Sequence, residues 1–126
     1  MTEDARAAIT GADVVVTATS VSVKSVLYGV DVPLTEVTAV SLEPTLPRIL
    51  RRTNGYGGKT ALRGHFLLAG LGEGQLFVEL DHPPFVLVRT TGGFFYVSFE
   101  DPARTQGLYR ELLDAWQRVR PERAPG

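Results

Sequence analysis

Between His65 and Phe99 the chain repeats one unit: five or six residues rich in Phe, Val and Leu, then a short break of glycine or proline. The runs are His65-Phe66-Leu67-Leu68-Ala69, Gln75 to Leu80, Phe85 to Thr90 and Phe94 to Phe99. Their breaks are Gly70-Leu71-Gly72-Glu73-Gly74, Asp81-His82-Pro83-Pro84 and Gly92-Gly93. Apolar runs this short, bounded by turn residues, are the signature of strands rather than helices. The glycines at the first break suit the positive φ angles of a hairpin connection.

The first half has the same texture with more β-branched residues. Val14-Val15-Val16-Thr17 is followed by Val21 and Val23 alternating with Ser20, Ser22 and Lys24, the period of a half-buried strand. Val30-Asp31-Val32-Pro33-Leu34 continues the alternation, and Pro33, which cannot donate to a ladder, marks a strand end or edge. Thr38 to Leu42 makes a fourth segment. Two meanders of four strands are therefore expected on either side of Leu46 to Gly64, which is read as their connection.

The C-terminal part differs in kind. Asp101-Pro102 offers a capping side chain and then proline at the first helical position, and Leu108, Leu112, Trp116 and Val119 recur at helical spacing before Pro121. One amphipathic helix is expected there, docked through Leu112 and Trp116. The fold class predicted is mainly β: a two-sheet sandwich or partly open barrel of about seven or eight antiparallel strands with one C-terminal α-helix. A chain of 126 residues, 44% of them hydrophobic, has the size of one such domain. Residues 13–120 are assigned to it, with flexible tails at 1–12 and 121–126.

Cysteine is absent, which excludes disulfides, thiolate metal sites and cysteine nucleophiles. The net charge of -1 argues against a whole-surface attraction to nucleic acid, so any anion binding must be local. The charges are unevenly placed: residues 48 to 64 carry five bases and no acid, and residues 65 to 101 carry five acids and one base. No apolar run nears the ~20 residues of a membrane span, and the start lacks the basic residues of a secretory signal. A soluble, cytoplasmic chain, or the soluble part of a longer one, is the default expectation, with membrane association through a partner as the alternative.

Three stretches carry a family likeness. They are Arg52-Thr53-Asn54-Gly55-Tyr56-Gly57, Gly64-His65-Phe66, and Tyr96-Val97-Ser98-Phe99-Glu100-Asp101-Pro102 running into Thr105 and Leu108-Tyr109; Val30-Asp31-Val32-Pro33-Leu34 precedes them. With the strand pattern and the tryptophan-bearing helix, they resemble the bacterial pleckstrin-homology-like domain families of largely uncharacterised proteins, over about residues 13 to 118. The resemblance implies a pleckstrin-homology-like fold and a non-catalytic interaction module. Phosphoinositide-binding members of the wider fold carry basic residues between the first two strands, where this chain has only Lys24 nearby.

Two candidate sites follow from the residues. The first is a basic loop, in which Arg48, Arg51, Arg52, Lys59 and Arg63 flank glycines whose backbone N–H groups could join guanidinium forks around a phosphate or carboxylate. The alternative is a solvated turn whose arginines pair with neighbouring acids.

The second is an apolar outer face. If Glu79 and Arg89 are kept out of the core, Phe66, Leu68, Leu76, Val78, Val86, Val88, Phe95, Val97 and Phe99 point inward, and Leu67, Phe77, Phe85, Leu87, Phe94 and Tyr96 point outward. So much exposed apolar surface marks a partner interface, unless bulges, register shifts or the N-terminal segment cover part of it.

Enzymatic chemistry finds no pattern. His65 and His82 are the only histidines, neither sits at ligand spacing from a second one, and no nucleophile-elbow, zinc-helix or phosphate-loop motif occurs. No enzyme activity, cofactor or metal is expected. The leading expectation is protein association, including homo-oligomers, through the outer face. Binding of an anionic lipid headgroup or phosphate by the basic loop is the alternative, and nucleic acid is disfavoured.

Overall fold

The computed structural model describes residues 13–25, 27–57 and 61–119. The expected tails at 1–12 and 121–126, and Lys59, lie outside the described residues. Among the described residues the chain is mainly β, in two sheets with one C-terminal helix. A three-stranded sheet comes first: β1 (Asp13–Val16), β2 (Ser20–Lys24) and β3 (Gly29–Pro33), in the order β1-β2-β3. A 3-10 turn at Leu34–Glu36 leads into β4 (Val37–Glu43) of a second sheet, followed by β5 (Ile49–Gly57), β6 (Ala61–Leu68), β7 (Gly72–Glu79), β8 (Phe85–Thr90) and β9 (Gly93–Val97). The helix α1 spans Pro102–Val119.

The second sheet has the order β4-β8-β9-β7-β6-β5. β8 is laid down one place away from β7, and the tight return at Thr91-Gly92 drops β9 into the gap. β9 is therefore antiparallel to β8 but parallel to β7, with Leu76 opposite Tyr96 and Phe77 opposite Val97. The expected pair of four-stranded antiparallel meanders becomes three strands and six, with one parallel pairing.

The strand not anticipated is β5. Its sequence after Leu50 holds no apolar alternation, because an edge strand needs only its one ladder, here to β6, to be held in place. It is also irregular, with register shifts between Ile49 and Arg51 and between Arg52 and Asn54.

The six-stranded sheet cannot be flat. Its two edge strands are joined directly by Pro44 to Arg48, and the six residue steps from Glu43 to Ile49 reach at most about 21 Å. The five gaps between strands of a flat sheet already span about 24 Å. The sheet must therefore curl to bring its edges together. β4 and β5 share no ladder, so the barrel stays open.

Each face of this sheet carries its own core. On one side Val37, Val40, Phe77, Val86, Val88, Phe95 and Val97 pack with Val21, Val23 and Val32 of the small sheet and with Leu108, Leu112 and Ala115 of α1. On the other, Phe66, Leu68, Leu76, Val78, Phe85, Leu87 and Tyr96 form a second cluster, joined by Leu46 and Ile49 from the connection and the start of β5.

The helix forms as its sequence directs. The Asp101 carboxylate accepts from the backbone N–H of Ala103 at 2.9 Å, and Pro102 begins the helix. Thr105, fully buried, accepts from the Phe99 N–H at 2.9 Å and fixes the helix to the end of β9. Leu112 is buried, and the Trp116 indole N–H donates to the Val37 carbonyl of β4 at 2.9 Å, so the expected docking face is the observed one.

Glycine is required at the turn from β6 to β7, where Gly70 and Gly72 have φ of 81° and 91°. It is required for a different reason at Gly74, where a Cβ would meet the ring of Phe94.

Candidate functional site

The stretch expected to be a basic loop is a pair of strands, β5 and β6, and it separates the four described cations. Arg48 ends the β4–β5 connection, exposed, with its carbonyl accepting from the Ala69 N–H at 2.9 Å. Arg51 and Arg52 are exposed on β5, opposite Leu67 and Phe66 respectively. Leu67 and Phe66 alternate across β6, so the register places the two guanidinium groups on opposite faces of the sheet edge. Among the described residues Arg48, Arg51 and Arg52 form no ion pair. Thr53, next along the strand, donates its hydroxyl to Glu73 at 2.7 Å.

Arg63 does not belong with them. It is 4% exposed and lies between β6 and β7, its Nη2 at 3.1 Å from Glu79 Oε2 and its Nη1 donating at 2.9 Å to the carbonyls of Leu62 and Val78. Glu79 is paired across the ladder with Ala61, two residues from Arg63, which makes it Arg63's diagonal neighbour. A buried arginine with its fork filled by a carboxylate and two carbonyls is a structural group, and its assignment to an anion site is corrected.

The same pair decides the phase of the apolar face. Glu79 is not solvent-facing, as the expected phase requires: its partner lets it be 95% buried on the side of Phe77. The parallel register then sets Leu76 beside Tyr96 rather than beside Phe95. Phe77 thus belongs to the core under the helix, and Phe85, Leu87 and Tyr96 belong to the second core, all at most 4% exposed. Leu67 and Phe94 are half-buried, and Phe94 stands edge-on to Tyr96 with ring centroids 6.0 Å apart. The apolar excess detected in the sequence is a second core, not an open interface.

Burial raises the Tyr96 phenol above its ordinary value of 10.0, the nearby Glu43 carboxylate adds to the rise, and Arg89 opposes it. Glu43 itself accepts from the Ser41 hydroxyl at 2.7 Å. His65 is half-buried against Tyr28, edge to face at 6.1 Å, and His82 sits in the β7–β8 connection with its N–H on the Glu79 carbonyl at 3.2 Å. Among the described residues no three His, Asp or Glu side chains converge as a metal site would require.

Two features remain that the sequence did not point to. One is the edge itself: among the described residues β5 pairs with β6 only and shows Leu50 half exposed beside the arginines. The signal for it was present in the bases without acids, which are at home on a solvated edge. The other is an apolar cleft of about 390 Å³ where the β4–β5 connection meets the β7–β8 connection, walled by Leu46, Pro47, Ile49, Leu80, Pro83 and Phe85. Ile49 of one edge strand and Phe85, next to the opposite edge, line the same cleft, as the curl of the sheet requires.

No helix among the described residues is long and apolar enough to cross a membrane. The chain matches no family model, no curated protein and no solved structure.

Proposed function

We propose that the protein is a non-catalytic interaction module that binds an acidic, extended segment of another protein along the outer side of β5. The observation that carries this reading is the edge strand: nine residues long, paired on one side among the described residues, with three exposed cations at or beside its first half and no described acid paired to them. Unpaired backbone groups of such an edge accept a further strand, and the side chains beside them choose its sequence.

Charge also decides against the simplest homo-oligomer. An antiparallel pairing of β5 with its own copy over all nine residues sets Arg52 opposite Asn54 and the two Arg52 positions diagonally across the ladder, so Arg51 and Arg52 of both chains share one ribbon with no acid among them and repel. An acidic strand reverses that sign. The pleckstrin-homology-like resemblance supports the class of activity, a binding module, without naming the partner.

Arg48, Arg51 and Arg52 also support a second reading, recognition of a phosphate or anionic headgroup, in which the backbone of β5 takes no part. One titration separates the two. A dye-labelled ten-residue peptide of alternating Glu and Thr is expected to bind by fluorescence anisotropy at low salt, and Arg51→Glu with Arg52→Glu to lose that binding. The same peptide N-methylated at alternate residues keeps its charge but cannot form a ladder. It is expected not to bind; equal binding of the methylated peptide refutes strand addition and leaves anion recognition.

A further inference from the structure

We infer that the cleft beside the start of β5 seats an aliphatic side chain at the end of the added strand, so that the partner is an acidic extended segment finished by an apolar residue. The inference rests on the strand-addition reading and goes further, because it assigns a site to the partner's terminus and a chemistry to that site.

Position comes first. Ile49 is both the first residue of β5 and a wall of the cleft, and Pro47 just before it is another. A strand laid beside β5 therefore arrives at the cleft when it reaches Ile49. Antiparallel pairing is the more stable arrangement per residue, and in it the end that arrives is the partner's C-terminal one.

Chemistry comes second. The walls named above are apolar side chains, Thr45 at the rim is the one polar side chain lining the cleft, and no charged side chain lines it. A volume of about 390 Å³ accommodates an aliphatic side chain with its neighbours, at the lower end of sizes usual for binding clefts. Leu46, Ile49, Leu80 and Phe85 also belong to or pack on the second core, so the walls are held by core packing before any ligand arrives.

Charge comes third. From Pro44 to Gly72 there is no Asp or Glu, so the approach along β5 is cationic up to the rim of an uncharged cleft. An acidic segment is drawn in by the edge, and its apolar end is what the cleft can remove from water. A second copy of this chain is the wrong occupant for the reason already given: its own β5 carries the same arginines.

The test uses two labelled peptides, the alternating Glu and Thr sequence ended at its C-terminus by Leu-Leu or by Ala-Ala, with the intact protein and with Thr45→Trp. Thr45 is exposed at the rim, so the indole fills the cleft without disturbing the core, and an unchanged melting temperature verifies this. Thr45→Glu, which places a carboxylate at the rim, serves if the tryptophan variant misfolds.

The Leu-Leu peptide is expected to bind about tenfold more tightly than the Ala-Ala peptide, and Thr45→Trp to erase that difference while leaving the Ala-Ala affinity unchanged. Equal affinities of the two peptides for the intact protein, or a preference that survives both Thr45 variants, overturn the cleft assignment and leave strand addition standing. If neither peptide binds, strand addition itself falls, and the cleft assignment with it.

Discussion

At one edge of the six-stranded sheet β4 lies under α1 and gives the Val37 carbonyl to the Trp116 indole; at the other, β5 carries exposed arginines along a ladder that, among the described residues, runs to β6 alone. Both edges face the same physical difficulty, a row of unpaired backbone groups open to any passing strand. The β4 edge answers it by burial and a hydrogen bond. The β5 edge answers it with two bulges and like charge, and these repel a basic or identical strand while leaving the backbone accessible. An edge closed by packing is finished in all circumstances, whereas one guarded by charge is open to the partner of opposite sign. That difference is the ground for proposing a partner at β5.

The comparison can be broken from either side. The largest effect is expected beneath the β5 side, at the buried ion pair. Glu79→Ala leaves Arg63 charged and without its carboxylate, and should cost about 3–5 kcal/mol in urea unfolding. Arg63→Met combined with Glu79→Leu should recover most of that loss. A Glu79→Ala variant as stable as the parent contradicts the burial of the pair.

At the β4 edge, Trp116→Ala should cost about 3 kcal/mol. Trp116→Phe, which keeps a ring but loses the bond to Val37, should cost about 1 kcal/mol. Equal stability of the phenylalanine variant and the parent would show that packing alone closes this edge. Gly74→Ala should cost about 1–3 kcal/mol by displacing the Phe94 ring from the strand, read as a lower urea midpoint.

A smaller effect concerns Tyr96. Its folded-state pKa is raised, so the folded protein keeps a proton that the unfolded chain gives up above about pH 10. The associated stability is fully present below pH 10.0 and falls as the pH rises from there. Tyr96→Phe should flatten that alkaline decline, and an identical slope in the two proteins would contradict the burial of the phenol. Smallest of all, Arg51→Glu with Arg52→Glu should change stability by less than about 0.5 kcal/mol, because both side chains are exposed and unpaired among the described residues.

The sequence carried most of the fold because most of it is written in short-range signals. The alternation of Val21 and Val23 with Ser20 and Ser22, the Asp101-Pro102 helix start and the Leu112 and Trp116 face each need only local physics, and each is found as expected. The phase of the second sheet was not legible, because it depends on two non-local facts. One is Arg63 reaching Glu79 diagonally across the β6–β7 ladder, which makes a carboxylate an inside residue. The other is β9 inserting parallel to β7, which moves Tyr96 to the side of Leu76.

The candidate site was half legible for the same reason. The cluster of bases was plain in the sequence. That it divides into an exposed edge with Arg48, Arg51 and Arg52 and a buried Arg63 is decided by strand order, which no local pattern encodes. The cleft joins residues from two connections brought together by the curl of the sheet, and nothing in either stretch alone announces it.

The most direct test of function at β5 is the anisotropy titration of the Glu and Thr peptide against its N-methylated form, at low salt and again at higher salt. Strand addition to a cationic edge predicts that the unmodified peptide binds, weakens as salt rises, and loses its binding on methylation. Equal binding of the two peptides, or no binding of either, contradicts it.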